Sequence, residues 1–255
     1  MKSIFILLYT FIALVGQSAE EVMKKSHLIY HYSKEDGKAD VIMKLVTKHS
    51  TKTKEFTMVR KDLVEGGDQN YFIYFKKPSD IKKMTFLVEK HIDRPDDRML
   101  YIPSIDLVKR IAASDKASRF VGSDFSYEDV SGRLWTEDTH EFLQDDILNG
   151  EQVFKIKSTP KEADYFSYKM SYISKKTFLP LKEEFFNASG RLFKRFTIEE
   201  VKEISAVPTA TIRKMEDIEK EQYTEIIFQN ILYDTGIKAR YFKERYLKKP
   251  HRSLR

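Results

Sequence analysis

An almost unbroken apolar run, Ile4 to Val15, follows Met1-Lys2 and ends in the small-residue exit Gly16-Gln17-Ser18-Ala19. A positive start, about a dozen apolar residues and small residues before a cut site predict a secretory signal peptide over residues 1–19, cleaved near Ser18 or Ala19 and too short to span a bilayer as a helix. Val22, Met23, Leu28 and Ile29 then recur at helical offsets, which predicts a helix over residues 20–31. Beyond Gly37 the period changes to two. Val41, Met43 and Leu45 alternate with Ile42, Lys44 and Val46; residues 55–61 alternate similarly; Gly66-Gly67-Asp68 marks a turn. Residues 71–75 form an aromatic strand stopped by Pro78, and strands follow at 84–89 and 98–102, the latter stopped by Pro103.

The second half keeps this rhythm. Residues 140–148 and 151–159 flank Asn149-Gly150, the strongest hairpin signal in the chain. Residues 167–174 alternate most cleanly, Tyr168, Met170 and Tyr172 against Ser167, Lys169 and Ser171. Residues 179–186 and 191–198 flank a second hairpin at Asn187-Ala188-Ser189-Gly190; strands at 209–215 and 223–232 and a short helix near 239–247 complete the pattern. About ten or eleven strands at this spacing predict a mainly β fold, a large antiparallel sheet or barrel, and no linker divides residues 20–247 into separate domains. Residues 118–130 break the alternation: Ser126 is suited to N-cap a one-turn helix with Asp129 as its capping partner, and Gly122 permits positive φ.

Composition narrows the setting. The chain has no cysteine, which closes both disulfides and the lipid anchor that requires a cysteine after the signal, so the core must hold the fold. The net charge is +6, and eight cations against Glu244 lie between Lys238 and Arg255, so the body is near neutral. Residues 248–255 read as a basic C-terminal tail, either a solvated end or a contact for an anionic membrane surface. An exported chain with a neutral body argues against nucleic acid as a partner.

No phosphate-cradling loop and no nucleophile elbow occur. Only His27 and His31 have metal-ligand spacing on a helix; without the Glu of HExxH they read as surface polar residues, and no metal or cofactor is expected. Asp124, Glu128 and Asp129 read as capping and solvated carboxylates more readily than as an acid–base pair. The chain is not expected to be an enzyme. With 18 Phe and 14 Tyr, a sheet this aromatic needs a cover, which can be protein or an apolar ligand.

Phe86-Leu87, Met99-Leu100-Tyr101-Ile102-Pro103, Val108-Lys109-Arg110-Ile111 and the string Phe120-Val121-Gly122-Ser123-Asp124-Phe125-Ser126-Tyr127-Glu128-Asp129-Val130 resemble the outer-membrane lipoprotein-sorting (LolA/LolB-like) family. Gly150 to Ile156 with Thr159-Pro160-Lys161, Leu179-Pro180-Leu181-Lys182, and Tyr241 to Leu247 are similar to its further signatures. The resemblance implies a strongly curved antiparallel half-barrel whose short helices plug an apolar cavity. It implies a periplasmic monomer that carries lipid acyl chains or lipoproteins passively, in some cases beside an RND/MMPL-type inner-membrane exporter. The alternative within the same fold is an accessory or sensor subunit that moves no cargo. On this reading the cavity lining is Phe72, Tyr74, Phe86, Val88, Leu100, Ile102, Phe154, Ile156, Tyr168, Met170 and Tyr172, with strand parity as the open choice. Gly122, Ser123, Asp124, Phe125, Tyr127 and Asp129 would form either a lid at the cavity mouth or a structural staple of the sheet.

Overall fold

The computed structural model describes residues 17–255, so the signal-peptide expectation falls outside the described residues except at its exit. There, Ser18 caps helix α1 (Ala19–His31): its Oγ accepts from Glu21 N–H at 3.1 Å, and the Glu21 carboxylate accepts from Ser18 N–H at 2.7 Å. This capping box satisfies two amide donors that the first turn leaves unpaired. Ala19, Val22, Met23, Ser26 and His27 form the buried face of α1.

Among the described residues, thirteen strands form one antiparallel sheet. The first meander is β1 (Asp36–Val46), β2 (Thr51–Asp62), β3 (Gln69–Lys77), β4 (Thr85–Lys90), β5 (Asp97–Ile102) and β6 (Leu107–Ile111). The second is β7 (Asp138–Leu148), β8 (Glu151–Pro160), β9 (Tyr168–Ser174), β10 (Pro180–Phe186), β11 (Leu192–Ile204), β12 (Val207–Asp217) and β13 (Gln222–Tyr233). β1 pairs with β13, Val41 opposite Phe228 and Met43 opposite Ile226, which welds the two meanders and leaves β6 and β7 as free edges. The sheet is open, as a half-barrel requires. Bulges or irregular pairings interrupt six of its twelve ladders, and each such bulge adds local bend and twist. The strand β6 escapes sequence reading because it is a short, mostly exposed edge carrying Lys109 and Arg110, the composition that keeps edges from pairing further.

Both faces of the first meander are covered. On the inner face Val41, Met43, Phe56, Ile73, Phe75, Phe86, Val88 and Leu100 pack beneath Phe120 and Tyr127, which belong to the connection between the two sheet edges. On the outer face Val59, Phe72, Leu87, Met99 and Tyr101 pack beneath Ile237, Phe242, Leu247 and Leu254 of the C-terminal segment, which includes helix α3 (Arg245–Lys248). Asp36 starts that segment on its path: its carboxylate accepts from Thr235 N–H (2.6 Å), Thr235 O–H (2.7 Å) and Ile237 N–H (3.1 Å).

The last eight residues therefore do not extend as a solvated tail. Pro250 and Leu254 are buried, and the Lys38 ammonium donates to the backbone oxygens of Ser253 (3.3 Å) and Arg255 (2.7 Å). Apolar anchors spaced along a basic segment hold it to the sheet while its cations stay in solvent. No helix among the described residues is long and apolar enough to cross a membrane.

Phe242 is fully buried over Phe72 and Leu87, and truncating such a ring removes its transfer energy and leaves a void. Phe242→Ala is expected to cost about 3–5 kcal/mol, read as a lowered urea midpoint with an unchanged slope. A loss below about 1 kcal/mol would mean that the C-terminal segment is not part of the core.

Candidate functional site

The connection between β6 and β7 crosses the inner face. Its centre is the Phe120–Asp129 string, folded as a tight loop that leads into helix α2 (Tyr127–Ser131). Phe120 N–H donates to the Phe125 carbonyl at 2.7 Å, and the buried Ser123 hydroxyl lies 2.8 Å from the Phe120 carbonyl and 3.2 Å from that of Phe125. Ser126 caps α2 with Asp129 in the expected capping box, and Asp129 also binds the Lys194 ammonium at 2.7 Å. Gly122 has the expected positive φ, +77°. Val121 before it is also left-handed (φ 46°, ψ 39°), a costly conformation for a β-branched residue that surrounding contacts must impose.

Asp124 ties this loop to β13. Its carboxylate accepts from Thr224 O–H (2.7 Å) and Gln222 amide N–H (2.5 Å) on β13 and pairs with Arg119 at 2.7 Å, while its own N–H donates to Thr224 Oγ1 at 2.9 Å. Phe120 and Tyr127 seal β4 through ring contacts to Phe86 at 5.2 and 5.4 Å. A second anchor lies beyond α2. Glu128, Glu137 and Asp164 converge closely enough to suggest a metal site, but two cations occupy that space. Lys116 reaches Glu128 (2.8 Å) and Asp164 (3.1 Å); Arg133 reaches Asp164 (2.6 Å), Asp138 (2.9 Å) and Glu137 (3.1 Å). Burial pushes the Glu128 carboxyl up against the pull of Lys116 and Arg133. Burial opposes the charge of Lys116 too, yet Glu128 and Glu137 hold its pKa above the usual range. The cluster is an ion-pair network that ties the plug to the β7 side.

Between α1, this plug and both meanders lie two adjoining cavities, of about 130 Å³ and about 120 Å³. The larger has apolar walls from Met23, Phe56, Ile73, Phe125, Phe196 and Ile226. Tyr30, His31, Val130, Arg213 and Phe228 border both. Polar groups are set into the walls, most of them matched: Lys169 pairs with Glu183 at 2.8 Å, Asp138 with Arg133, and Asp129 with Lys194. Burial works against the Lys169 charge, but Glu183 and Asp138 keep its pKa above the usual range.

His27 and His31 belong to this interior and not, as their sequence suggests, to the surface. Their rings lie 5.0 Å apart, and His31 presses so closely on Gly132 that a Cβ there would fall 2.3 Å from the ring. Burial first, then the charges of Lys90 and Lys169, push the His27 pKa down to about 3. Burial, His27 and nearby cations hold His31 well below its ordinary value.

The two cavities are not lined by any of the eleven residues expected from the sequence. Phe86, Val88, Leu100 and Ile102 face inward but are sealed beneath the plug. Phe72 and Tyr74 face outward, packed with the C-terminal segment. Phe154 and Ile156 pack with Ala19, Val22 and Met23 of α1. Tyr168, Met170 and Tyr172 share the outer face of β9, where Tyr168 stacks on Phe186 at 4.7 Å and Lys182 lies over Tyr172 at 3.8 Å. Of the lid residues, Phe125 and Asp129 border the larger cavity. Arg213 went unmarked, although it shares the parity of Met215 on β12 and is thus a charge on an otherwise inward-facing set.

A family model described as an uncharacterized protein matches residues 67–249. No curated protein matches the chain. Among solved structures, an outer membrane lipoprotein-sorting protein domain from Vibrio parahaemolyticus is 26% identical with a TM-score of 0.85, over 91% of this chain and 98% of that one. A DUF1329 family protein from Desulfovibrio piger is 24% identical with a TM-score of 0.82, over 89% and 97%. A LolA superfamily protein from Nitrosomonas europaea, 16% identical over 91% and 100%, has a TM-score of 0.71 and shares the fold.

The two histidines set a pH dependence. Both are neutral in the folded protein, whereas an unfolded histidine protonates below about pH 6.5, so below that pH the unfolded chain binds more protons. Their contribution is complete above pH 6.5 and is lost as pH falls towards 3. Between pH 7.5 and 5.5 the pair is expected to cost about 2–3 kcal/mol of stability, measured by urea unfolding. The double variant His27→Gln/His31→Gln should lose most of that dependence; an identical pH profile would contradict the assignment.

Proposed function

The chain belongs to the family whose model it matches and has the LolA-like fold of the lipoprotein-sorting proteins, and on that premise we propose that it is a periplasmic carrier that shields acyl chains of lipids or lipoproteins. The observation that supports this most directly is the pair of adjoining cavities walled by Phe56, Ile73, Phe125, Phe196 and Ile226. Each buried methylene gains roughly 0.8 kcal/mol, so ten methylenes would gain about 8 kcal/mol before any cost of opening. A space of about 130 Å³ admits a benzene-sized body, so lodging a whole chain requires the plug to swing outward. Loading and release are then passive, set by relative affinities, and no catalytic step enters. An RND/MMPL-type exporter is the donor that the resemblance suggests.

The accessory-subunit reading draws support from edge strand β7, which leaves Phe142, Leu143 and Ile147 at 36–68% exposure. Such an edge can accept a partner strand. The carrier reading is preferred because it uses the interior space, which the subunit reading leaves without a role.

Filling the larger cavity separates the two. Ile226 lines it from β13, and Ile226→Trp should weaken binding of a fluorescent acyl probe roughly tenfold or more with a melting temperature close to wild type. Tyr168→Ala, on the outer face, should leave binding unchanged. A filled variant that binds the probe as well as wild type would contradict the carrier reading.

A further inference from the structure

At the junction of the two cavities one cation lacks a counter-charge. Arg213 projects from β12 with its guanidinium 4.7 Å from the Tyr30 ring centroid and 4.3 Å from that of Phe228. Its Nε–H donates to the Ala210 carbonyl at 3.3 Å, and among the described residues no carboxylate lies within ion-pair distance; residues 1–16 contain no Asp or Glu. A guanidinium has five N–H donors in a planar fork, so four are uncommitted. The groups around it are uncommitted as well. Among the described residues, neither the Tyr30 hydroxyl nor the rings of His27 and His31 have a side-chain hydrogen bond. Ring centroids of 4.6 Å for Tyr30–His31 and 5.0 Å for His27–His31 make the cluster continuous.

The other charges bordering these cavities are spoken for. Glu183, Asp138 and Asp129 each hold a cation, Arg60 pairs with Asp62, and Lys38 is committed to the C-terminal backbone. The net result is a positive fork and several neutral donors facing an apolar space. Arg213 is half-buried, and a guanidinium partly withdrawn from water gains from meeting an anion. Its planar fork matches carboxylate and phosphate oxygens in pairs, and the flanking rings hold it in place.

We propose that Arg213, with Tyr30 and His31, receives the anionic head group of a single-chain amphiphile whose tail occupies the larger cavity. This rests on the carrier reading and narrows it. The cargo bears a phosphate or carboxylate near its acyl chain, and neutral acyl compounds bind more weakly. The head enters at the junction because that is where the fork and the apolar wall meet.

The test uses the full chain after export and calorimetric titration with dodecyl phosphate, dodecanol and inorganic phosphate. Wild type should bind dodecyl phosphate roughly tenfold or more tightly than dodecanol. Arg213→Gln should abolish that preference while keeping dodecanol affinity, and Arg213→Lys should restore part of it. Tyr30→Phe keeps the ring and removes only the hydroxyl, so it tests the cluster even if the Arg213 variants fold poorly; a several-fold loss for dodecyl phosphate alone is expected. Inorganic phosphate binding as tightly as dodecyl phosphate would overturn the amphiphile and indicate a free-anion site. Equal affinity for dodecyl phosphate and dodecanol in wild type would overturn this proposal and leave the carrier standing, whereas no binding of either amphiphile would remove both.

Discussion

A thirteen-stranded sheet with two free edges has an inner face that must be covered, and the chain covers it with the one segment that has to travel from edge to edge. Because β6 and β7 are the outermost strands, their connection crosses the whole concavity. Everything at the candidate site follows from how that crossing is fixed. Asp124 fastens it to β13, Phe120 and Tyr127 seal it over β4, and Arg133 with Lys116 binds its far end to the β7 side. The crossing covers β4 and its neighbours closely but bridges the rest of the concavity only with help from α1, and the remaining space, walled by both meanders, is where the two cavities lie. Burying apolar surface drives this arrangement; the buried ion pairs fix where the plug sits, since a displaced partner would leave a charge uncompensated.

The elements were largely legible because their signals are local. The helix at residues 20–31, the hairpins at Asn149-Gly150 and Asn187–Gly190 and the capping box of Ser126 with Asp129 all lie where spacing and turn chemistry put them. The site was legible only in part, because strand parity depends on what covers each face. Residues 71–75 are apolar at every position since the C-terminal segment covers one face of β3 and the plug the other, so alternation there carries no information. On β9 the pattern is clean but inverted. Lys169 and Ser171 point inward to Glu183, while Tyr168 and Tyr172 lie outside under lysines. An interior that contains a polar network defeats the assumption that the aromatic set faces in. The basic tail misleads for a related reason: its cations are obvious, but the anchors Leu247, Pro250 and Leu254 are too sparse to form a period.

Stability and access draw on the same contacts. The plug carries a left-handed Val121 next to Gly122, and local strain of this sort persists only where neighbouring contacts over-determine the backbone. A segment held at several points but strained between them can yield without the sheet unfolding. Weakly stable elements are the ones that move at binding sites, and here the moving element would also expose the cavity that it closes. Passive transfer needs no more than that: burial of methylenes on one side of the balance, and the cost of lifting the plug on the other.

Whether this interior space takes cargo in the cell is tested most directly by native mass spectrometry, with lipid extraction, on the protein isolated from its own cells. The account predicts a stoichiometric amphiphile with an acyl chain and an acidic head group, lost in the Ile226→Trp variant. A protein that is isolated empty, and stays empty after incubation with anionic lipid vesicles, would contradict it.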